Sequence, residues 1–400
     1  MTRFVPTSID ELREAIAAAL AAAEPVELVA GGTKRGLGRP LQTPHVVDLT
    51  RLSGIRDYAP SELVLTAGAA TPLTAVDRAL NAAGQMLAFE PPDWRGLLGQ
   101  VHGSPTLGGI LACNLSGPRR LKAGAARDHF LGFTAVSGRA EAFKAGGKVV
   151  KNVTGYDLPK LLAGSYGTLA ALAEVTVKVL PRPETAATVL VTGVAPDDAA
   201  RLMAAALGSP HEVSGAAFIP AAAPRAAPLP AATGVVALRI EGPAPSVAFR
   251  RDALCQELAG GEKLALGDAD TAALWRDIGN AAPLAGLADR AVWRLSVAPS
   301  RGAEVAQIIA HQVDAVWFLD WGGGLVWLAV PEPGDGGAAV IRGAVAGQGH
   351  ATLIRGTPAL RAAVPVFQPQ PAPLATLSRR VKEGFDPRHI LNPGRMAEGI

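Results

Sequence analysis

Cysteine is scarce in this sequence. The chain of 400 residues contains two, Cys113 and Cys255, and neither lies in a CxxC motif or at a spacing that would bind metal with histidine. Two cysteines cannot form the disulfide framework that is typical of small secreted proteins. The sequence therefore predicts a protein of a reducing compartment without a metal centre, and we expect a cytoplasmic location.

Long hydrophobic runs are also absent. The longest apolar run near the start is Ala15–Ala23, bracketed by Glu14 and Glu24. It is too short for a membrane span, and its acidic flanks are wrong for a signal peptide. We therefore expect no direct membrane insertion, and any association with the inner face of a membrane would come through partner proteins.

The chain has little excess charge of either sign. Its formal net charge is +3, without a long basic run, so nucleic acid is not an expected partner. One local cluster, Arg119, Arg120, Lys122 and Arg127, contains no acidic residue. It is compatible with a phosphate site or with a solvated loop, and the sequence leaves both interpretations open.

The composition is that of a compact protein. Hydrophobic residues make up 49% and charged residues 18%, and a chain of this length exceeds what one core normally holds, which favours two domains. We place the first domain at 1–183, ending at a proline pair, and a second, smaller α+β domain at 184–373. A final segment, 374–400, is expected to dock back on the first domain. The Ala/Pro-rich stretch 221–233 is expected to form an extended surface loop.

Local patterns indicate an α+β fold. Ser8 and Glu11 form a capping box ahead of a helix that Pro25 ends. A short strand, Val26–Ala30, follows, and further strands and helices alternate without internal repeats. The glycine-rich stretch Gly31–Gly36 thus leaves a strand directly.

Three glycine-rich regions could carry function. Gly31-Gly32-Thr33 offers consecutive backbone N–H groups to an anion, although it is neither a Walker loop nor a Rossmann fingerprint, and a tight surface turn is the alternative. The second region, 106–117, also suits a helix packed on a sheet. The third combines 152–157 with 164–168. Three such loops within one α+β unit favour an elongated dinucleotide ligand.

The motifs support a resemblance to a known family. The segments 106–109, 125–128, 151–158, 164–168 and 177–181 resemble the vanillyl-alcohol-oxidase-type, or PCMH-type, FAD-binding domain. Together with 90–93, 117–120, 385–387 and 392–395, they resemble the small FAD-binding subunits of bacterial glycolate oxidases. The resemblance is strong over about 28–183 and near the C-terminus, and weak between.

The resemblance implies a set of FAD-binding residues. FAD would lie between two α+β subdomains, with Gly31, Gly32 and Thr33 as the pyrophosphate loop and the basic residues Lys34 and Arg35 beside it. Thr106, Gly109 and Asn114 would belong to the second flavin-contacting segment. Gly155 and Gly167 would lie in loops along the cofactor, and Val175 in a strand near the adenine. Covalent attachment at His102 is the alternative to the non-covalent FAD that we expect.

One departure from the family bears on mechanism. Members that oxidise 2-hydroxy acids carry closely spaced histidines in the second domain, whereas the downstream histidines of this chain are widely separated. We therefore expect an electron-passing FAD subunit of a complex that oxidises glycolate to glyoxylate, with a larger FAD-binding subunit and an iron–sulfur subunit as partners and no catalytic base identified. A self-sufficient 2-hydroxy-acid dehydrogenase and a structural subunit without flavin are the alternatives.

Overall fold

The computed structural model describes residues 2–148, 155–224, 229–230 and 233–400. Residues 152–154, the start of the predicted third glycine-rich region, lie outside the described residues, as do 225–228 and 231–232 of the Ala/Pro-rich stretch.

A small parallel sheet opens the chain. Its strand order is β1-β3-β2, with β1 at Thr2–Phe4, β2 at Val26–Val29 and β3 at His45–Asp48. Helix α1, Ile9–Ala22, covers it, and the Ser8 side chain accepts from the Glu11 N–H as predicted. The Glu11 carboxylate reaches the N–H of Thr7 at 2.7 Å, so the second half of the capping box forms one residue earlier than expected.

A five-stranded antiparallel sheet follows, in the order β4-β5-β9-β7-β8. Its strands are β4 Ile55–Ala59, β5 Val64–Gly68, β7 Phe130–Ser137, β8 Ala142–Gly146 and β9 Ala170–Lys178. The helices of this region are α2 Leu73–Ala82, α3 Leu107–Cys113, α4 Arg120–Ala123, α5 Ala126–His129 and α6 Leu158–Leu162.

The chain changes sheets at the proline pair. Strand β10, Leu180–Pro181, pairs with β6, Gln85–Met86, of the first region, whereas β11, Thr185–Thr192, already belongs to a different sheet. That sheet has eight strands in the order β14-β11-β13-β12-β16-β17-β15-β18. Its other members are β12 Gly215–Ile219, β13 Val235–Gly242, β14 Lys263–Leu266, β15 Arg290–Val297, β16 Val316–Asp320, β17 Leu325–Pro331 and β18 Gly349–Arg355.

The large sheet is buried on both faces. Along β11, Val189 and Val191 face a cluster with helices of the second region, whereas Leu190 faces the first region, as expected for side chains that alternate across a strand. Its helices are α7 Pro196–Leu207, α8 Ala244–Glu257, α9 Asp268–Gly279, α10 Ala282–Ala285, α11 Gly302–Ala310, α12 Ala338–Val345 and α13 Pro358–Ala363. The two regions therefore share one continuous apolar core.

The C-terminal segment returns to the first region. Helix α14, Ala372–Phe385, carries Lys382, whose ammonium is fully buried and donates to the Asp386 carboxylate at 2.6 Å and to the Thr168 carbonyl at 2.6 Å. Leu391 then forms a parallel bridge with Val26. A buried ion pair and backbone pairing thus attach this segment to the first sheet.

Two other observations bear on the sequence predictions. Within the described part of the Ala/Pro-rich stretch, Ala223 is buried and Leu229 packs against the core. These two residues therefore differ from the predicted exposed surface loop. Among the described residues, no helix is both long and apolar enough to cross a membrane.

Candidate functional site

A cleft opens between the parallel sheet, helix α3 and the start of β9, with about 760 Å³ of empty space that includes open solvent at its mouth. Eight of the residues predicted to contact a cofactor meet in its wall. They are Gly31, Gly32, Thr33, Lys34, Arg35, Thr106, Gly109 and Gly167. The geometry thus brings together the three glycine-rich regions that the sequence separates by more than a hundred residues.

The two glycines of the first loop have different physical roles. A Cβ on Gly31 would lie 1.8 Å from the Ser104 carbonyl oxygen, so this glycine permits two backbone segments to cross. Gly32 has φ +72° and no atom within 4 Å of its Cβ position. Its conformation favours glycine, and the space beside it belongs to the cleft. Gly32 is therefore the residue at which a side chain would intrude on a ligand.

Lys34 is a cleft-lining cation without an ion-pair partner among the described residues, whereas Arg35 and Arg395 both lie beside Glu27. The Lys34 ammonium donates to the Thr33 hydroxyl at 3.1 Å. Burial lowers its pKa, and the charge of nearby Asp93 partly offsets this effect. Arg35 differs, because its guanidinium is paired with the Glu27 carboxylate. An anion in the cleft would thus meet Lys34 rather than a free Arg35.

Helix α3 begins at the cleft. Thr106 is its N-cap, and the Thr106 hydroxyl accepts from the Gly109 N–H at 3.3 Å. Cys113 at the other end of the helix also lines the cleft, and burial raises the pKa of its thiol. A protonated thiol packs as a small apolar group, as expected from the sequence.

The C-terminal segment supplies cleft residues that the sequence analysis missed. The Asn392 side chain accepts from the Leu28 N–H at 2.8 Å and donates to the Tyr166 carbonyl at 2.8 Å. Arg395, buried beside it, donates to the Lys34 carbonyl at 2.9 Å. The turn-rich motif around 392–395 was visible in the sequence, but its contact with β2 is a tertiary property.

Three predicted residues lie outside the cleft wall. Asn114 caps the end of α3 in the left-handed conformation, and its side chain accepts from the Arg127 N–H at 3.0 Å. Gly155 is exposed with φ +86°. Val175 is fully buried within the five-stranded sheet, paired to Ala67 and Phe133. The residues of β9 that line the cleft are Ala170 and Leu172. Contact of Asn114, Gly155 or Val175 with the cofactor therefore stays a prediction.

A second group of polar residues lies where the two regions meet. Arg239 on β13 is 3% exposed and donates to the Glu90 carboxylate at 2.7 and 3.0 Å. Arg119 pairs with Glu241 on the same strand, and its backbone N–H donates to Glu90 at 2.6 Å. The two arginines hold the pKa of Glu90 low despite its burial. These four residues, the closed charge network, join the regions with every charge compensated.

Trp321 forms a platform beside that network. Its indole N–H donates to the Gly117 carbonyl at 3.1 Å, and its backbone N–H donates to the Asp320 carboxylate at 2.7 Å. Its φ of +52° is a rare conformation for a bulky side chain. Burial raises the pKa of Asp320 to about 7. Hydrogen bonds from the backbone N–H and the indole N–H thus fix the position of Trp321, whose own backbone is in a strained conformation.

Two arginines stack on this platform from opposite regions. The guanidinium carbon of Arg120, on α4, lies 4.4 Å from the Trp321 ring centroid, and that of Arg294, on β15, lies 4.8 Å from it. Burial and the charge of Arg120 lower the pKa of Arg294 to about 10. His350 on β18 lies opposite Ser296 of β15 in the sheet. Partial burial and the charges of Arg294 and Arg120 lower its pKa.

The structure places the other candidate residues away from such clusters. Among the described residues, no three His, Cys, Asp or Glu side chains meet as a metal site. His211 pairs with Glu257, and His102 is exposed in its loop and does not line the cleft. The basic cluster of the sequence is divided: Arg119 and Arg120 enter the region interface, and Lys122 lies at the surface beside Glu212.

Comparison with known proteins now decides the family. Residues 3–146 match the FAD binding domain family. The chain is 34% identical over 386 residues to the glycolate oxidase subunit GlcE of Escherichia coli (strain K12), a match that covers 96% of both sequences. The chain belongs to the GlcE family. The predicted resemblance to small FAD-binding glycolate oxidase subunits is thereby confirmed.

Another sequence relative matches only part of this GlcE-family chain, whereas two solved structures match nearly all of its fold. The glycolate oxidase subunit GlcD of Bacillus subtilis (strain 168) is 39% identical over 113 residues, which is 28% of this chain and 22% of that protein. A crystal structure of p-cresol methylhydroxylase with substrate bound superposes with a TM-score of 0.71 at 14% identity, covering 99% of this chain and 88% of that one. A structure of alkyldihydroxyacetonephosphate synthase superposes with a TM-score of 0.67 at 17% identity, and the match covers 98% of this chain and 75% of that one. The predicted PCMH-type α+β fold is confirmed.

The cleft of this GlcE-family member fits FAD. A diphosphate needs a cation and backbone approach, which Lys34 and the open side of Gly32 supply. The apolar wall from Ala170 and Leu172 suits an aromatic ring system. The cofactor predicted from the sequence, FAD, thus agrees with the family and with the residues present.

Proposed function

We propose that this chain is the small FAD-binding subunit of a complex that oxidises glycolate to glyoxylate. The cleft that gathers Gly32, Thr33 and Lys34 carries the proposal, together with the name of the GlcE relative, which covers nearly the whole chain. The larger partner would be a second FAD-binding subunit, of which GlcD is the named example, and an iron–sulfur subunit would accept the electrons.

The residues of the cleft would bind and orient the cofactor without a covalent bond. Lys34 would neutralise the diphosphate, the Gly32 backbone would approach it closely, and Asn392 would keep β2 and the Tyr166 loop in place around it. The flavin, when bound, supplies reversible acceptance of electrons. Cys113 lines the cleft, but burial raises the pKa of its thiol and so lowers its reactivity. His102 is exposed outside the cleft wall, and both observations support non-covalent binding.

Replacing Gly32 by valine tests the cofactor site. The branched side chain would intrude on the diphosphate position, so we expect FAD affinity to fall at least about tenfold, or about 1.4 kcal/mol. FAD content of the purified chain is measured after heat or acid release. The matched control is Gly84→Val, because Gly84 also has positive φ (+64°) and an open Cβ position but lies at the end of α2. Equal FAD content in both variants would contradict the assignment.

Reconstitution tests the role in the complex. The chain is combined with the larger flavin subunit and the iron–sulfur subunit, and glycolate-dependent dye reduction is measured. Omitting the chain, or replacing it with Gly32→Val, is expected to abolish most of the activity. If the isolated chain oxidises glycolate at the rate of the assembly, it is a self-sufficient dehydrogenase and the electron-passing role is wrong.

A further inference from the structure

Helix α14 leaves apolar side chains in contact with solvent. Leu374 and Leu377 are three residues apart, hence on one face of the helix, and are 48% and 55% exposed. Leu161 on α6 is 40% exposed and lines the same groove as Leu377, with about 1510 Å³ of empty space that includes open solvent. Exposed leucines gathered along one concavity are typical of a binding surface.

The walls of this concavity, the α14 groove, are α14, the end of α6 with the loop after it, the stretch 365–370 and the residues after Arg395. The Ser378 hydroxyl donates to the Gln370 side-chain oxygen at 2.9 Å and so connects the helix with the stretch 365–370. Lys382, one turn further along α14, is fixed by its buried pair with Asp386. A partner would therefore meet a preformed surface, which lowers the entropic cost of binding.

Arginines without carboxylate partners border the apolar surface. Arg39 and Arg379 line the groove, and among the described residues neither side chain has a hydrogen bond or an ion pair. Arg380 follows on the helix, exposed and equally unpaired within the described ranges. Glu398 is the acidic residue of the lining, so positive charge is in excess. An occupant of complementary charge is acidic.

The form of the groove selects a helix as the occupant. None of the described lining residues belongs to a strand, so the groove offers no sheet edge to which an extended peptide could add. A flat lipid bilayer would leave the concave interior unfilled. An amphipathic helix fills such a groove with apolar side chains spaced by three or four residues and keeps its charged residues at the rim.

The α14 groove is in contact with the FAD cleft. Phe367 of the groove packs edge-to-face on Tyr166 of the cleft, with ring centroids 5.0 Å apart. Thr168 lines the groove, and its neighbour Gly167 lines the cleft. A protein bound in the groove is thus one aromatic pair away from the cofactor site, which suits electron passage between subunits.

We propose that the α14 groove is the docking surface for an acidic amphipathic helix of a partner subunit. The inference rests on the proposed function, which supplies the partner as another subunit of the glycolate-oxidising complex. It adds which surface of this chain joins that complex and which chemistry the partner segment has. Leu161 and Leu377 contact the apolar face of the helix, and Arg39 and Arg379 pair with its carboxylates.

Association of the FAD-loaded chain with the larger flavin subunit and with the iron–sulfur subunit, each titrated separately by biolayer interferometry, tests the groove. We expect Leu377→Asp and Arg379→Glu each to weaken binding of one subunit at least about tenfold, because both introduce a charge that repels an acidic helix. Added salt should weaken binding of the parent chain more than that of Arg379→Glu.

Two surface positions on other helices provide matched controls. Phe249 on α8 is 73% exposed and lies outside the groove, and Arg201 on α7 is exposed and paired with Asp198. Phe249→Asp and Arg201→Glu should leave association unchanged. All four variants should keep the FAD content of the parent chain, because each position is at the surface and outside the cleft wall.

Replacing Leu377 by the photoreactive residue benzoylphenylalanine identifies the occupant. The expected cross-link joins this chain to a partner-subunit segment with apolar residues every three or four positions and acidic residues between them. A cross-link to a second copy of this chain would instead make the groove a homodimer surface and overturn the proposal. Binding to phosphatidylglycerol vesicles that is lost in Leu377→Asp would overturn it in favour of a lipid surface.

The association measurement also separates the two proposals. If both groove variants bind the subunits as tightly as the parent chain does, the docking proposal is wrong and the proposed function is unaffected. If the parent chain carries FAD but binds neither subunit, the proposed role in a complex is wrong, and the docking proposal fails with it.

Discussion

Arg119 and Arg120 are adjacent in the sequence but belong to opposite kinds of interaction. Arg119 enters the closed charge network, in which Glu90 and Glu241 compensate both guanidinium groups. Arg120 turns to Trp321 and Arg294, where neither guanidinium group forms an ion pair with a described residue. The comparison teaches that burial of an arginine is not itself evidence for stability or function. Arg119 and Arg120 differ in whether the protein supplies a carboxylate acceptor for the guanidinium group.

The largest effect is expected from opening the closed network. Glu90→Gln removes the carboxylate that faces Arg239, which is 3% exposed and then keeps its weaker ion pair with Glu241 at 3.5 Å. Breaking one partner of a buried ion pair destabilises by about 3–5 kcal/mol, because the other charge remains buried. Urea denaturation measures the free energy of unfolding.

A surface ion pair provides the control for this prediction. Glu212 lies 3.5 Å from Lys122 and 3.6 Å from Arg250, and its own side chain is 65% exposed. Glu212→Gln should change the free energy of unfolding by less than about 1 kcal/mol. Similar losses in the two variants would mean that the closed network does not hold the regions together.

An intermediate effect is expected at Asp320, between the two arginine groups. Burial raises the pKa of Asp320 to about 7, above its unfolded value of about 3.8, so the folded chain binds the proton more tightly. Between about pH 4 and 7, this carboxyl should therefore lower stability as pH rises, by up to about 1.4 kcal/mol per pH unit.

Asp320→Asn keeps an acceptor for the Trp321 N–H and removes the titration. We expect its melting temperature to fall less than that of the parent chain between pH 5 and pH 8. Asp314→Asn, at an exposed carboxylate paired with Arg290, is the control and should leave the pH dependence unchanged. Parallel curves for the parent chain and Asp320→Asn would show that Asp320 is ionised in the folded state throughout.

The smallest effect on stability is expected at Arg294, which stacks on Trp321 together with Arg120. Arg294→Gln removes a cation whose Nε has no partner, so the free energy of unfolding should stay within about 1 kcal/mol or increase. A loss as large as that of Glu90→Gln would mean that Arg294 is structural. Chemical denaturation gives the comparison.

Local signals predicted much of the fold and part of the site. The Ser8 cap, the strand before Gly31 and the helix between Thr106 and Asn114 are each specified by residues a few positions apart, and each is present. The resemblance then connected the loops, because a family motif carries tertiary information that periodicity lacks. The meeting of the glycine loops in one cleft was therefore predictable from sequence motifs alone.

Contacts between distant segments could not be predicted in the same way. Asn392 and Leu28 are hydrogen-bonded across 364 positions, and nothing local distinguishes Asn392 from an ordinary turn residue. Arg294 lies in a strand with weak family resemblance, where an arginine between apolar residues indicates only an outward face. Nor does the sequence show that the Ser104 carbonyl excludes a side chain at Gly31, because these two residues also meet only in the folded chain.

The attachment of the C-terminal segment sets an order of events during synthesis. Asn392 and Arg395 complete the wall of a cleft whose first residues, Gly31–Arg35, emerge from the ribosome much earlier. The nascent first region can build its sheets, but it cannot present the finished cleft until Lys382 and Asp386 have been translated and buried together. A ribosome stalled before these residues would therefore display a chain whose cleft wall is incomplete.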